Sequence, residues 1–244
     1  MKLQQATWPE VEAYLETSDA IVIPIGSTEQ HGPTGLIGTD AICPEVIAGG
    51  MAERDVLVAP TLSIGMAQHH LDFPGSITLR PSTLMAVIRD VVGSLANHGF
   101  RRFMFLNGHG GNIATVQAAF AEIYAESSLA GAASDLHLEL VNWFTGPRIK
   151  KLSADLFGDA EGWHATPSEI SLTWYAYPDR TSDAVLDPAR APYGDFRDAI
   201  DYRKTFPDGR IGSEPGLASV AHGERLYRAG LEDAMEALDR LRGA

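Results

Sequence analysis

Residues 20–32 read "AIVIPIGSTEQHG", an aliphatic run that turns polar at a glycine. Such a run suits a strand buried on both faces, as a parallel sheet covered by helices requires. Past Gly26 the chain carries a carboxylate, Glu29, and an imidazole, His31, two residues apart. Side chains at that spacing in an extended segment point the same way, so both can enter one site. Open α/β sheets bind ligands at this place, outside the carboxyl ends of their strands.

Three more segments read as strands: "VLVAPTLSIG" (56–65), "FRRFMFLNG" (100–108) and "LHLELVNWF" (136–144). Helical patterns fall between them, near 41–54, 82–98 and 113–127, with starts at Ser82 or Thr83 and at Asn112. Gly99 and Gly131 stand where the last two should stop. A helix is also expected in the N-terminal 19 residues. Residues 145–212 hold six prolines and read as irregular apart from a helix near 167–177. A long amphipathic helix follows from about 215. Alternating strands and helices predict a three-layer α/β/α architecture with a mainly parallel sheet, and residues 1–244 are read as one domain.

The chain has 244 residues, 45% of them hydrophobic, which suffices for a sizeable core. Its net charge of -13 opposes binding to nucleic acid or to anionic membrane surfaces. Cys43 is the one cysteine, so no intrachain disulfide forms. No apolar run approaches a membrane span and no signal peptide is visible, so the expected location is the cytoplasm.

A second strand end supports the first. "LNGHGGN" (106–112) places Asn107, His109 and Asn112 after a predicted strand. Asp40 follows "GPTGLIGT" (32–39), a tract able to bend sharply and return Asp40 to Glu29. A helix-opening Asp is also a common N-cap. Together Glu29, His31, Asp40 and His109 are the ligand types that Zn²⁺, Mn²⁺ or Fe²⁺ prefer. A third polar group lies in "EGWHATPSEISL" (161–172), with His164 and Glu169. Glu169 reads either as a ligand or as a first-turn carboxylate favoured by the helix dipole. His164 reads as a proton-transfer residue or a packed loop histidine. Of the adjacent His69 and His70, at most one is expected to face the site.

In family order, "PIGSTEQHGPTGLIGTDA" (24–41), "HHLDFPGSITLRPSTL" (69–84), "FLNGHGGN" (105–112), "HATPSEIS" (164–171) and "GRIGSEPGLASVAHGERLY" (209–227) resemble the creatininase family of metal-dependent amidohydrolases. The resemblance implies a three-layer α/β/α fold, assembly as a homo-oligomer (a hexamer) and two divalent metals, Zn²⁺ or Mn²⁺, bridged by water or hydroxide. It implies Glu29, Asp40 and His109 around one metal, and His31 with the bridging Asp40 at the other. The activities it implies are ring opening of creatinine, deformylation of a formylaminopyrimidine nucleotide and cleavage of a modified peptide.

Two departures bear on substrate. Creatininases proper carry a glutamate ligand where this chain has Gly111, and here "GHGGN" resembles the deformylase-like branches, in which Glu169 can serve the second metal. Ala160 stands where creatininase places a tryptophan, so creatinine itself is not the expected substrate. The expected reaction is hydrolysis of a non-peptide C–N bond in a small cyclic amide or formamide, with His164 as proton donor to the leaving nitrogen and His70 as a substrate contact. Alternatives are a metal-dependent lactone or phosphoester hydrolase, and a non-catalytic oligomeric scaffold that keeps the fold.

Overall fold

The computed structural model describes residues 1–243. At its centre lie three parallel strands in the order β1 (Ala20–Ile25), β2 (Arg102–Asn107) and β3 (His137–Asn142). The register pairs Ile25 with Asn107 and Asn107 with Asn142, so all three strands end at one level.

Eight α-helices are formed among the described residues: α1 (Trp8–Leu15), α2 (Thr39–Ala52), α3 (Pro81–Ala96), α4 (Ile113–Leu129), α5 (Pro147–Phe157), α6 (Pro167–Ala176), α7 (Ala199–Thr205) and α8 (Val220–Arg242). The twofold period of β1 sorts them into layers. Ala20 and Val22 face a core built with Cys43 and Ile47 of α2, Ile149 of α5, Leu172 of α6 and Leu226 and Leu238 of α8. Ile21, Ile23 and Ile25 face the opposite core, made with Leu84 and Ile88 of α3 and Val116 and Phe120 of α4. Every residue of β1 is buried, as its unbroken aliphatic composition requires. Each fully buried isoleucine contributes roughly 1.5–3 kcal/mol by leaving water. The three-layer α/β/α expectation thus describes the molecule.

The element boundaries correct three expectations. Segment 56–65 is not a regular strand. It runs beside β1 through bridges at Val22–Val58 and Ile25–Leu62, interrupted where Pro60 offers no N–H to a ladder. Helix α3 starts at Pro81 rather than at Ser82 or Thr83. Residues 145–212 hold two helices that were not expected, α5 and α7. The stops are as read: α3 and α4 end just before Gly99 and Gly131, whose φ values are 113° and 70°.

Candidate metal centre

At the carboxyl ends of β1 and β2 the chain supplies two loops, and the start of α2 inserts between them. Gly26 and Gly108 make this insertion possible. A Cβ on either would lie 2.1 or 1.9 Å from the Asp40 carbonyl oxygen. Asp40 is therefore not the N-cap of α2, a position that Gly38 holds. It is the second residue of the helix, and its carboxylate is held in the gap between the strand ends.

Four of the expected site residues meet there, all buried: Glu29, His31, Asp40 and His109. His31 Nδ1 lies 3.1 Å from the Glu29 carbonyl oxygen, and His109 Nε2 lies 3.0 Å from that of Met66. A carbonyl only accepts, so both nitrogens donate, and these bonds fix the tautomers. The remaining nitrogens converge on different oxygens of one carboxylate: His31 Nε2 is 3.1 Å from Asp40 Oδ1, and His109 Nδ1 is 3.0 Å from Oδ2. His109 Nε2 also lies 3.3 Å from Glu29 Oε2, which Ser27 Oγ reaches at 2.8 Å. Glu169 completes the far side, with Oε1 3.9 Å from His31 Nε2.

The donor set fits divalent metal. Two clusters, Glu29–Asp40–His109 and His31–Asp40–Glu169, each present ligand atoms within 4.8 Å of one another, and they share Asp40. Buried Glu29 Oε1 and Asp40 Oδ2 have no hydrogen-bond donor, although His70 Nε2 and His109 Nδ1 approach them to 3.0 Å. Contacts that short without hydrogen-bond alignment are what ligands aimed at a common cation leave behind. A third cluster, Glu29–His31–His164, overlaps the first two. There His164 Nδ1 stands 3.9 Å from Glu29 Oε1.

Without metal, protons carry the balancing charge. Burial pushes the His31 and His109 imidazoles down, but facing carboxylates override it and raise both to about 10. Asp40 leads at His31, and Glu29 at His109. Burial likewise pushes Asp40 up, and the two histidines override it, holding Asp40 well below the usual carboxylate range. At Glu29 burial prevails over His109 and raises it. Burial raises Glu169 to about 7 against the pull of His31. His164 is driven well below its ordinary value by burial and then by His31 and His70.

Neighbouring side chains hold these groups in place. Asn107 Oδ1 accepts from His109 N at 3.1 Å, while its Nδ2 donates to His109 O at 2.7 Å. Asn112 stands at the N-cap of α4 without capping it. Its amide instead donates to Gly26 O at 2.9 Å and accepts from Met66 N at 3.0 Å, tying both loops together. Glu169 is both a first-turn residue and a site residue. It closes a capping box with Thr166 at the start of α6 while facing His31. Both His69 and His70 line the cavity over the cluster, against the expectation that at most one would face the site; His70 is buried beside Glu29 and His69 is half-buried. Sequence reasoning did not find Gln30, which is buried between the two proposed ligands flanking it in the chain and touches three ring systems.

Above the cluster opens a cavity of about 510 Å³. Its walls include Trp143, Phe144, Trp163 and Phe196, and its floor Glu29, Asp40, His109 and Glu169. No lysine or arginine lines it among the described residues. Arg148 instead pairs with Asp233 and Glu236 outside it. No described helix is long and apolar enough to cross a membrane.

Comparison with known proteins agrees with this geometry. The family model Creatininase, described as creatinine amidohydrolase, matches residues 4–238. The creatinine amidohydrolase of Pseudomonas putida is 28% identical, over 96% of this chain and 94% of its own length. The mycofactocin precursor peptide peptidase of Mycolicibacterium smegmatis is also 28% identical, over 85% of this chain and 79% of its own. A solved structure described as creatininase Mn superposes with a TM-score of 0.87 at 25% identity, covering 100% of this chain and 99% of that one.

Proposed function

The chain belongs to the creatininase family, and from that premise we propose that it is a binuclear metal-dependent hydrolase of a non-peptide C–N bond in a small cyclic amide or formamide. The observation that carries the reading is Asp40, whose two oxygens face different histidines on the floor of the cavity. In this reading Glu29, Asp40 and His109 hold one ion, Zn²⁺ or Mn²⁺, and His31, Asp40 and Glu169 hold the other. Two such ions supply a water acidic enough to ionise near neutral pH and polarise a carbonyl oxygen.

The residues of the chain then do the positioning and the proton work. The aromatic walls present an apolar surface to a small substrate. His164 is half-buried and neutral, and its Nε2 lies 2.8 Å from the Gln30 carbonyl oxygen, to which it donates. Its Nδ1 lone pair therefore faces the site, suited to take a proton and pass it to the leaving nitrogen. His70 contributes the face of its ring to the cavity wall, since Gln30 takes its Nδ1 and its Nε2 is turned towards Glu29 Oε1 at 3.0 Å. Gly111, where creatininases proper place a ligand, could not carry such a side chain here, because a Cβ would lie 2.4 Å from His109 Nε2.

The absence of lysine and arginine from the cavity disfavours a phosphoester. A second reading, an amide at the end of a short peptide, is favoured by the equal identity to the peptidase relative. Assay of the zinc- and manganese-loaded protein on cyclic amides, formamides, lactones, phosphoesters and short peptides separates these. Turnover confined to the cyclic amides or formamides supports the proposal. Turnover of lactones, phosphoesters or peptides alone replaces the substrate class, and no turnover with both ions bound favours a scaffold. We also propose a homo-oligomer, which light scattering on the purified protein checks.

A further inference from the structure

Gln30 lies between two proposed ligands in the sequence but points away from them, into a knot of polar groups behind the site. Its amide orientation is fixed by two backbone groups that leave no ambiguity. Gly32 N–H donates to Oε1 at 2.8 Å, and Nε2 donates to Gly209 O at 2.9 Å. The seat is tight. Gly209 has φ 87°, and a Cβ there would fall 1.9 Å from Gln30 Oε1. Tyr202 Oη donates to the same Gly209 carbonyl at 2.7 Å, filling its second lone pair.

Nε2 has two protons, and one is spent on Gly209 O. The other has two imidazole nitrogens within reach, His70 Nδ1 and His164 Nε2, each 2.9 Å away. The Gln30 main-chain carbonyl decides between them. It lies 2.8 Å from His164 Nε2 and can only accept, so that nitrogen carries its own proton. The second amide proton therefore goes to His70 Nδ1. His70 then bears its proton on Nε2, which faces Glu29 Oε1 at 3.0 Å.

We propose that Gln30 is a positioning residue for the reaction. Its main-chain carbonyl leaves His164 Nδ1 bare towards the site, and its side-chain amide keeps a proton on His70 Nε2 against Glu29. The side chain thereby fixes the His70 tautomer beside Glu29 while the backbone of the same residue fixes that of His164. The inference deepens the hydrolase reading but is read without turnover. An inactive protein with the expected protons would sink that reading and leave this assignment standing.

Neutron diffraction on the zinc-loaded protein without substrate locates the protons directly. The expected map has protons on His164 Nε2 and His70 Nε2, with His164 Nδ1 and His70 Nδ1 bare. A proton on His70 Nδ1, or on His164 Nδ1 with Nε2 bare, overturns the proposal. Gln30→Glu supplies the second arm, because a carboxylate cannot donate. In the variant the His70 proton should move to Nδ1 while His164 is unchanged. Both metals should stay bound, and kcat should fall about 10–100-fold with KM little altered, as for loss of other groups that orient a site. An unmoved His70 proton in the variant contradicts the mechanism, and if the variant does not fold the wild-type map decides alone.

Discussion

The two halves of the proposed metal centre are built differently although they share Asp40. Glu29, Asp40 and His109 all stand at the ends of β1 and β2, and Ser27, Asn107 and Asn112 brace their loops through hydrogen bonds of 2.7–3.1 Å. Glu169 of the second half arrives on α6, after a long excursion of the chain, and its side chain is 15% exposed. It also divides its attention, since Thr166 N donates to the same Oε1 that faces His31. The first half is a product of the sheet. The second depends on a helix docking correctly against it, so it should be the weaker and later of the two to form.

Substitutions that strike the shared framework should have the largest effect. Gly108→Ala places a Cβ 1.9 Å from the Asp40 carbonyl, a contact with rigid backbone. It should displace α2 from both halves, lower stability by roughly 1–3 kcal/mol as overpacking does, and abolish activity. A variant with wild-type metal content and turnover would show that Asp40 does not depend on this close approach. His164→Ala should leave both ions in place and slow kcat by about 10²–10⁴-fold, the range for acid–base residues. Turnover within twofold of wild type would return His164 to the status of a packed loop residue.

The pH dependence of the chelated protein sharpens the same contrast. His31 and His109 have pKa values near 10, above the ordinary 6.5, so their contribution to stability is complete below about 6.5 and lost as pH rises through 10. Glu169, raised from 4.5 to about 7, acts in the same direction over a lower window, favouring the folded state below 4.5 and ceasing to do so above 7. Asp40 acts oppositely, but its contribution is lost only as pH falls below its ordinary 3.8. His164 and His70, held below their ordinary 6.5, make stability rise with pH up to that value. Thermal melts of the metal-free chain should therefore show a falling Tm only from about pH 7 to about pH 10. A Tm that rises over that range contradicts the assigned proton balance. The smallest effect is expected from Thr166→Ala, which removes one partner of the capping box and should cost about 1 kcal/mol. It should weaken metal binding in the second half alone, and calorimetric titration showing both affinities lowered equally would deny the asymmetry.

The same contrast governs what could be read in the sequence. The first half was legible because its ligands follow strands whose aliphatic runs announce burial, and because glycines mark the bend that returns Asp40 to Glu29. Glu169 stayed ambiguous for a physical reason: it is both a capping residue and a site residue, and the capping pattern alone accounts for it. Helix α5 was illegible because its N-cap, Gly146, offers no side chain. Asp233 of α8 accepts instead from Arg148 N and Ile149 N, at 3.0 and 3.1 Å, from far along the chain. Segment 56–65 has strand composition, yet Pro60 breaks its ladder. Gln30 gave no signal, since a glutamine between a glutamate and a histidine looks like any solvated loop residue until Gly209 and Tyr202 close around it.

Metal equivalents per chain, measured by elemental analysis on wild type, Asp40→Ala and Glu169→Ala prepared side by side, test the shared-carboxylate centre most directly. The expected values are two, none and one. Full occupancy in Asp40→Ala would contradict the bridging role, and equal occupancy in wild type and Glu169→Ala would remove α6 from the centre.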